Sequence, residues 1–151
     1  MRLNKDLREF VESLNSNHVE FLIVGGFAVA WHGYPRFTAD LDFLVRPGAP
    51  NAERIVATLD AFGFGTLGVR SADLMKPDQI LQLGAKPNRI GIVTSIAGVT
   101  FDLAWENRVA GDIDGIPVSY LGREELIRNK ECVAHPQDVV DVAALRRRER
   151  R

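Results

Sequence analysis

Leu7, Phe10, Val11 and Leu14 fall at i, i+3, i+4 and i+7, a spacing that predicts an amphipathic helix over residues 4–15. Residues 19–24 are mostly β-branched and aromatic, as in a buried strand. Gly25-Gly26 closes that strand, residues 27–32 read as a short apolar helix, and Gly33-Tyr34-Pro35 breaks it. Residues 38–45 alternate, with Asp40, Asp42 and Leu44 on one face and Leu41, Phe43 and Val45 on the other. Pro50 suits the first turn of a helix whose apolar positions are Ile55, Val56, Leu59 and Phe62. Beyond a glycine-interrupted stretch at 63–76, short strands are expected at 80–83 and 90–94, joined by a hairpin-like connection at 84–88. Thr100 caps a helix over 101–108, residues 116–121 return as a strand, and helices near 123–131 and 136–147 finish the chain. The order α-β-α-β-α-β-β-α-β-α-α describes an α/β fold with a central mixed sheet flanked by helices.

With 151 residues, 46% hydrophobic and 26% charged, the chain has the balance of one domain with a sizeable core. A net charge of -1 argues against disorder. The longest nearly unbroken apolar run, 21–31, has eleven residues and two glycines, whereas a bilayer span needs ~20. A membrane-spanning role is therefore excluded. The first nine residues alternate charged and apolar side chains without a signal-peptide core. Cys132 is alone and the three histidines are scattered, so neither an internal disulfide nor a zinc pattern is expected. A cytoplasmic, reducing location follows as the expectation. Residues 146–151 hold five Arg and one Glu, a local +4 on a body of -5. That tail reads as a solvated, frayed helix end, with contact to RNA or another polyanion as its functional alternative.

Chemistry concentrates between Gly25 and Asp42. Two carboxylates at i, i+2 on a strand point the same way, with alpha carbons ~7 Å apart. Such a pair is costly to bury unless a divalent cation joins it, and Mg²⁺ binds through a few carboxylates plus substrate phosphates. A Gly-Gly turn from strand to helix leaves backbone N–H groups facing an anion. Together with Arg36, this set describes phosphoryl transfer.

Gly25-Gly26 followed by Arg36-x-Thr38-x-Asp40-Leu-Asp42 resembles the polymerase-β-type nucleotidyltransferase superfamily, closest to small bacterial members and AbiEii-like toxin nucleotidyltransferases. Similar segments recur at Gln82-Leu-Gly, Pro87-Asn-Arg-Ile, Thr94-Ser-Ile-Ala-Gly-Val, Glu125-Leu-Ile-Arg-Asn-Lys130 and Pro136-Gln-Asp138-Val-Val-Asp141-Val, so that the resemblance spans most of 21–145. It implies transfer of a nucleoside monophosphate from an NTP to an acceptor hydroxyl, with Mg²⁺ or Mn²⁺. By position, Gly25 and Gly26 would line the triphosphate, and Asp40 and Asp42 would hold the metals. Arg36 and Thr38 would shape the mouth, and Lys130 would offer a cation to the phosphates. The acceptor stays open between an RNA end, a protein side chain and a small molecule, and the resemblance implies a toxin–antitoxin-type protein as partner.

One departure from the superfamily pattern bears on the chemistry. A third carboxylate is expected on a neighbouring strand, within an Arg-Ile-Asp pattern, but this chain reads Arg89-Ile90-Gly91-Ile92. Asp102 is the nearest substitute in sequence and completes the candidate catalytic set. Thr100-Phe-Asp102 also reads as a capped helix start with an acid in its first turn. Asp112 and Asp114, flanking a turn with Gly115, have a weaker claim. The family's Gly-Arg before the last helix has become Ala134-His135. The missing carboxylate leaves open a degenerate member that binds nucleotide or a partner without turnover. His32 is expected to serve packing, His18 to lie in a loop, and Cys132 to act as a small apolar residue. Asp138 and Asp141 either orient Lys130 or serve as a helix start and a solvated face.

Overall fold

The computed structural model describes residues 2–85 and 89–149. The chain runs α1 (Lys5–Ser16), β1 (Phe21–Val24), α2 (Gly25–Trp31), β2 (Asp40–Val45) and α3 (Ala49–Ala61), then two 3₁₀ turns (Gly65–Leu67, Asp73–Met75). It continues through β3 (Ile80–Leu83), β4 (Arg89–Val93), α4 (Phe101–Glu106), β5 (Val109–Ile113), β6 (Ile116–Tyr120), α5 (Arg123–Val133) and α6 (Pro136–Glu149). Six strands form one sheet in the order β3-β4-β2-β1-β6-β5. The β1/β2, β3/β4 and β5/β6 pairs are antiparallel, whereas β2/β4 and β1/β6 are parallel. This is the expected α/β class, a mixed sheet flanked by helices.

The alternation in β2 decides which side of the sheet becomes core. Phe43 is fully buried and its ring packs against Phe10 of α1 at 5.9 Å and Phe21 of β1 at 5.4 Å. Phe62, just past α3, closes on Phe10 edge-on at 5.5 Å. α1 presents Leu7, Phe10, Val11 and Leu14 to this layer, and its first turn is capped by Asn4 Oδ1, which accepts from Leu7 N at 2.8 Å. Because side chains alternate, burying Leu41, Phe43 and Val45 turns Asp40 and Asp42 to the opposite face, where both stay half-buried.

Two differences from the sequence reading have physical causes. The expected helix over 101–108 ends at Glu106, and β5 follows as a sheet-edge strand exposed except near Ile113. Gly111 and Asp112 interrupt any apolar alternation there, but Gly111 admits the Trp31 ring, which stacks on Tyr120 at 4.6 Å. α2 begins at Gly25 itself, so the Gly-Gly pair is the first turn of the helix rather than a turn before it. No helix among the described residues is long and apolar enough to cross a membrane. The Arg-rich tail starts inside α6, with Arg146 Nη2 3.1 Å from Glu131 Oε1. Residues 150–151 of the 146–151 segment expected to fray, and residues 86–88 of the 84–88 connection, lie outside the described residues.

Candidate active site

Strand register assembles the site. Val24 pairs with Asp42 across the antiparallel β1/β2 ladder, so the chain leaves β1 at Gly25 directly beside the start of β2. On the other side of β2, parallel β4 sets Arg89 opposite Asp40 and Gly91 opposite Asp42. Gly25 has a left-handed φ of 68°, and a Cβ built on it would lie 2.6 Å from Asp42 Oδ2. A Cβ on Gly91 would overlap Asp42 Oδ1. The Asp42 carboxylate thus occupies space that two glycines, one on each side, leave to it. Gly26 does the same for Thr38, with a Cβ position only 2.8 Å from the threonine's Cβ and Oγ1. Thr38 Oγ1 in turn donates to Asp40 O at 3.1 Å, fixing the entry to β2.

The two carboxylates live in different environments. Asp40 is held in a bidentate pair by Arg89, Nε to Oδ1 at 2.7 Å and Nη2 to Oδ2 at 2.9 Å. Asp42 receives no side-chain hydrogen bond from the described residues. Burial, followed by the charge of Asp40, pushes its pKa from 3.8 up to about 6, with Arg89 and Lys130 opposing the rise. A half-buried carboxylate lacking donors beside a second carboxylate is a hard-oxygen set with acceptor capacity left over, and it fits Mg²⁺ or Mn²⁺. No group of three or more His, Cys, Asp or Glu among the described residues is placed to hold a metal ion. An ion here would complete its shell with phosphate or water oxygens.

Arg36, expected at the mouth of the site, and Lys130, expected at the phosphates, converge on α6. Arg36 pairs with Asp141 through Nε and Nη2, both at 2.9 Å. Lys130 Nζ lies 2.9 Å from Asp141 Oδ2 and 3.0 Å from Asp138 Oδ1. Gln137 Nε2 donates to Asp141 Oδ1 at 2.9 Å. Asp141 is 0% exposed and Lys130 6%. Burial alone would raise the Asp141 pKa, but bonds from Arg36, Lys130 and Gln137 outweigh it and hold the carboxyl below its ordinary value. Asp138 fills both roles read from the sequence, since its other oxygen accepts from His135 N at 3.1 Å at the start of α6. Lys130 is near enough to Asp42 to act on its charge.

Asp102 does not join this group. It lies in the first turn of α4 with its side chain 92% exposed, 3.4 Å from Arg46 Nη1. Arg46 follows the last residue of β2, whereas Asp40 is the first, so Asp102 sits at the far end of a strand ~20 Å long. Thr100 Oγ1 accepts from Leu103 N at 3.3 Å, the helix cap that the sequence also allowed. Asp112 and Asp114 belong to the β5–β6 hairpin: Asp112 Oδ2 accepts from Gly115 N at 3.1 Å, and Asp114 pairs with Arg8. His32 packs with Nε2 2.8 Å from Leu121 O, and burial holds its pKa below the ordinary value. His18 occupies a left-handed loop position. Cys132 is exposed rather than a buried apolar filler, its sulfur lying over Gly98.

Sequence reading missed Arg89 as a partner of Asp40 and Asp141 as the hub joining Arg36 to Lys130. The signal for Arg89 lies in the parallel β2/β4 register, which no local pattern encodes. No family model and no curated protein matches the chain. Among solved structures it is similar to an antigenic nucleotidyltransferase-like protein from Paracoccidioides brasiliensis. That match has a TM-score of 0.53 and 14% identity, over 94% of this chain and 76% of that one. At this identity the likeness concerns the fold, and the six-stranded mixed sheet with its helices is a nucleotidyltransferase-like α/β fold.

Proposed function

We propose that this chain is a nucleotidyltransferase that moves a nucleoside monophosphate from an NTP to a hydroxyl acceptor. The observation that carries the reading is the Asp40–Asp42 pair beside the β1–α2 turn, with the Asp42 carboxylate half-buried and given no side-chain hydrogen bond by the described residues. The likeness of the fold to a nucleotidyltransferase-like protein supports it. In the reaction, the acceptor oxygen forms a bond to the α-phosphorus, the bond to the bridging oxygen breaks, and pyrophosphate leaves while the hydroxyl proton passes to a base. Asp40 and Asp42 would hold Mg²⁺ or Mn²⁺, which when bound neutralises phosphate charge. Gly25 and Gly26 let the Asp42 carboxylate and Thr38 pack directly against the β1–α2 backbone, and the triphosphate would run along that turn. Arg36 and Lys130 act at one remove: Asp141 fixes both, and Lys130 with Arg89 sets the positive field around Asp42. The RNA or protein acceptor and the antitoxin-type partner rest on the resemblance to AbiEii-like toxins, and the Arg-rich end of α6 supports RNA.

A second reading, nucleotide binding without turnover, is favoured by one observation: Gly91 stands opposite Asp42, and Asp102 is at the other end of β2. One experiment addresses both. Mg-NTP at ~100 times its dissociation constant is expected to stabilise the protein by ~2.7 kcal/mol, and the Asp40→Asn/Asp42→Asn variant is expected not to respond. Release of labelled pyrophosphate then distinguishes enzyme from binding protein. No thermal response of the native protein at millimolar Mg-NTP removes the nucleotide site altogether.

A further inference from the structure

Arg89 grips Asp40 by both carboxylate oxygens, the two that a cation would also use. The pair lies at the open rim of the sheet, with side chains 24% and 25% exposed, and its register is set by the parallel β2/β4 ladder. We propose that Arg89 is an internal counter-ion that moves: it sits on Asp40 when the site holds no nucleotide and transfers to the nucleotide phosphates when a metal–nucleotide complex enters. This rests on the nucleotide-site reading above.

The physical grounds are charge and geometry. A divalent ion arriving alone must displace a guanidinium that already satisfies Asp40 through two parallel charge-assisted bonds, and the two cations repel. A triphosphate removes both obstacles, because its oxygens accept a guanidinium fork in the same bidentate manner. Arg89 is one residue to the N-terminal side of Ile90 on β4 and a quarter exposed, so its side chain reaches Asp40 from the rim rather than from the core. Metal and nucleotide should therefore assist one another's binding, and by linkage the assistance is reciprocal. The chain would discriminate metal-loaded nucleotide from metal ion alone, a selectivity that a pair of unguarded aspartates would lack.

The test measures binding, not turnover. Mn²⁺ is titrated into native protein and into Arg89→Gln, with and without a saturating non-hydrolysable NTP analogue, and bound ion is read by equilibrium dialysis as the excess Mn²⁺ on the protein side over the protein-free side, which holds the same analogue. Arg89→Gln is expected to bind Mn²⁺ alone about tenfold more tightly than native, and the gain in Mn²⁺ affinity from the analogue should shrink by a similar factor. Arg89→Lys, which keeps the charge but not the fork, is expected to fall between the two. Circular dichroism confirms that each variant is folded, and if only Arg89→Lys folds, its shift against native decides the question. Equal or weaker Mn²⁺ binding by the variants overturns the counter-ion role while leaving the nucleotide site standing. Absence of Mn²⁺ binding in every protein, with and without analogue, overturns both.

Discussion

Replacing Asp42 with Asn should stabilise this protein at neutral pH. The carboxyl titrates at about 6 in the fold against an ordinary 3.8. The native state therefore binds more protons than the unfolded chain between those values, and stability falls as pH rises through that window. The gap is worth ~3 kcal/mol at full strength, and roughly half, ~1.5 kcal/mol, once solvent access to the half-buried group is allowed for. Asparagine keeps the shape between Gly25 and Gly91 and removes the charge. For a domain of this size, ~1.5 kcal/mol raises Tm by ~3–6 °C. The measurement is thermal unfolding in EDTA at pH 7.5 and pH 4. A clear gain is expected at pH 7.5, and little at pH 4, where the native carboxyl is mostly protonated as well. An unchanged or lowered Tm at pH 7.5, or the same gain at both pH values, would refute the reasoning that burial and the neighbouring Asp40 charge the fold for keeping Asp42 ionised.

Asp141→Asn should show the opposite pH signature. Its folded pKa is held down, so its contribution is present above the unfolded value near 4 and lost as pH falls through the folded one. The variant should lose ~3 kcal/mol at pH 7.5 in denaturant titrations, because Arg36 and the buried Lys130 lose a shared partner, and the loss should narrow towards pH 3. Asp102→Asn should cost under ~1 kcal/mol and leave nucleotide binding and any turnover at native levels, since among the described residues its side chain pairs only with Arg46, from a solvated position. Loss of turnover in that variant, measured by pyrophosphate release, would return Asp102 to the catalytic set.

What the sequence disclosed follows how local each feature is. The helical spacing of Leu7, Phe10, Val11 and Leu14 and the alternation through Phe43 found α1 and β2 within one or two residues. β5 escaped because an edge strand buries almost nothing, so Val109-Ala110-Gly111-Asp112 carries no apolar alternation. Asp40 and Asp42 were visible as a pair because two residues of a strand share a face wherever the strand lies. Lys130 and Asp138 were near enough in sequence, around one helix junction, to be considered together. Arg89 lies 49 residues from Asp40, and Arg36 lies 105 from Asp141, so those partners emerge only from sheet register and helix docking. Asp102 was nominated by proximity in sequence to Gly91, and the strand between them led it to the wrong end of the sheet.

The absent third carboxylate and the unusual Asp42 are one structural fact. Gly91 does not have a left-handed φ, so its backbone would accept any strand residue. Glycine leaves room there for Asp42 in its observed rotamer, because Asp42 Oδ1 fills the space its Cβ would take, as Oδ2 fills the space beside Gly25. An acid at 91 and Asp42 in its observed rotamer exclude each other; adding the first would swing the second out of its slot. In that slot Asp42 is shielded from water and kept near the charge of Asp40, which raises its pKa into the range where a carboxyl exchanges protons near neutral pH. With glycine at 91, the negative charge is concentrated on the Asp40–Asp42 pair and is opposed by Arg89 on Asp40 and by the field of Arg89 and Lys130 around Asp42. If the pair holds a cation as proposed, its affinity depends on the basic residues as much as on the acids, and tuning Arg89 should alter it without changing either aspartate.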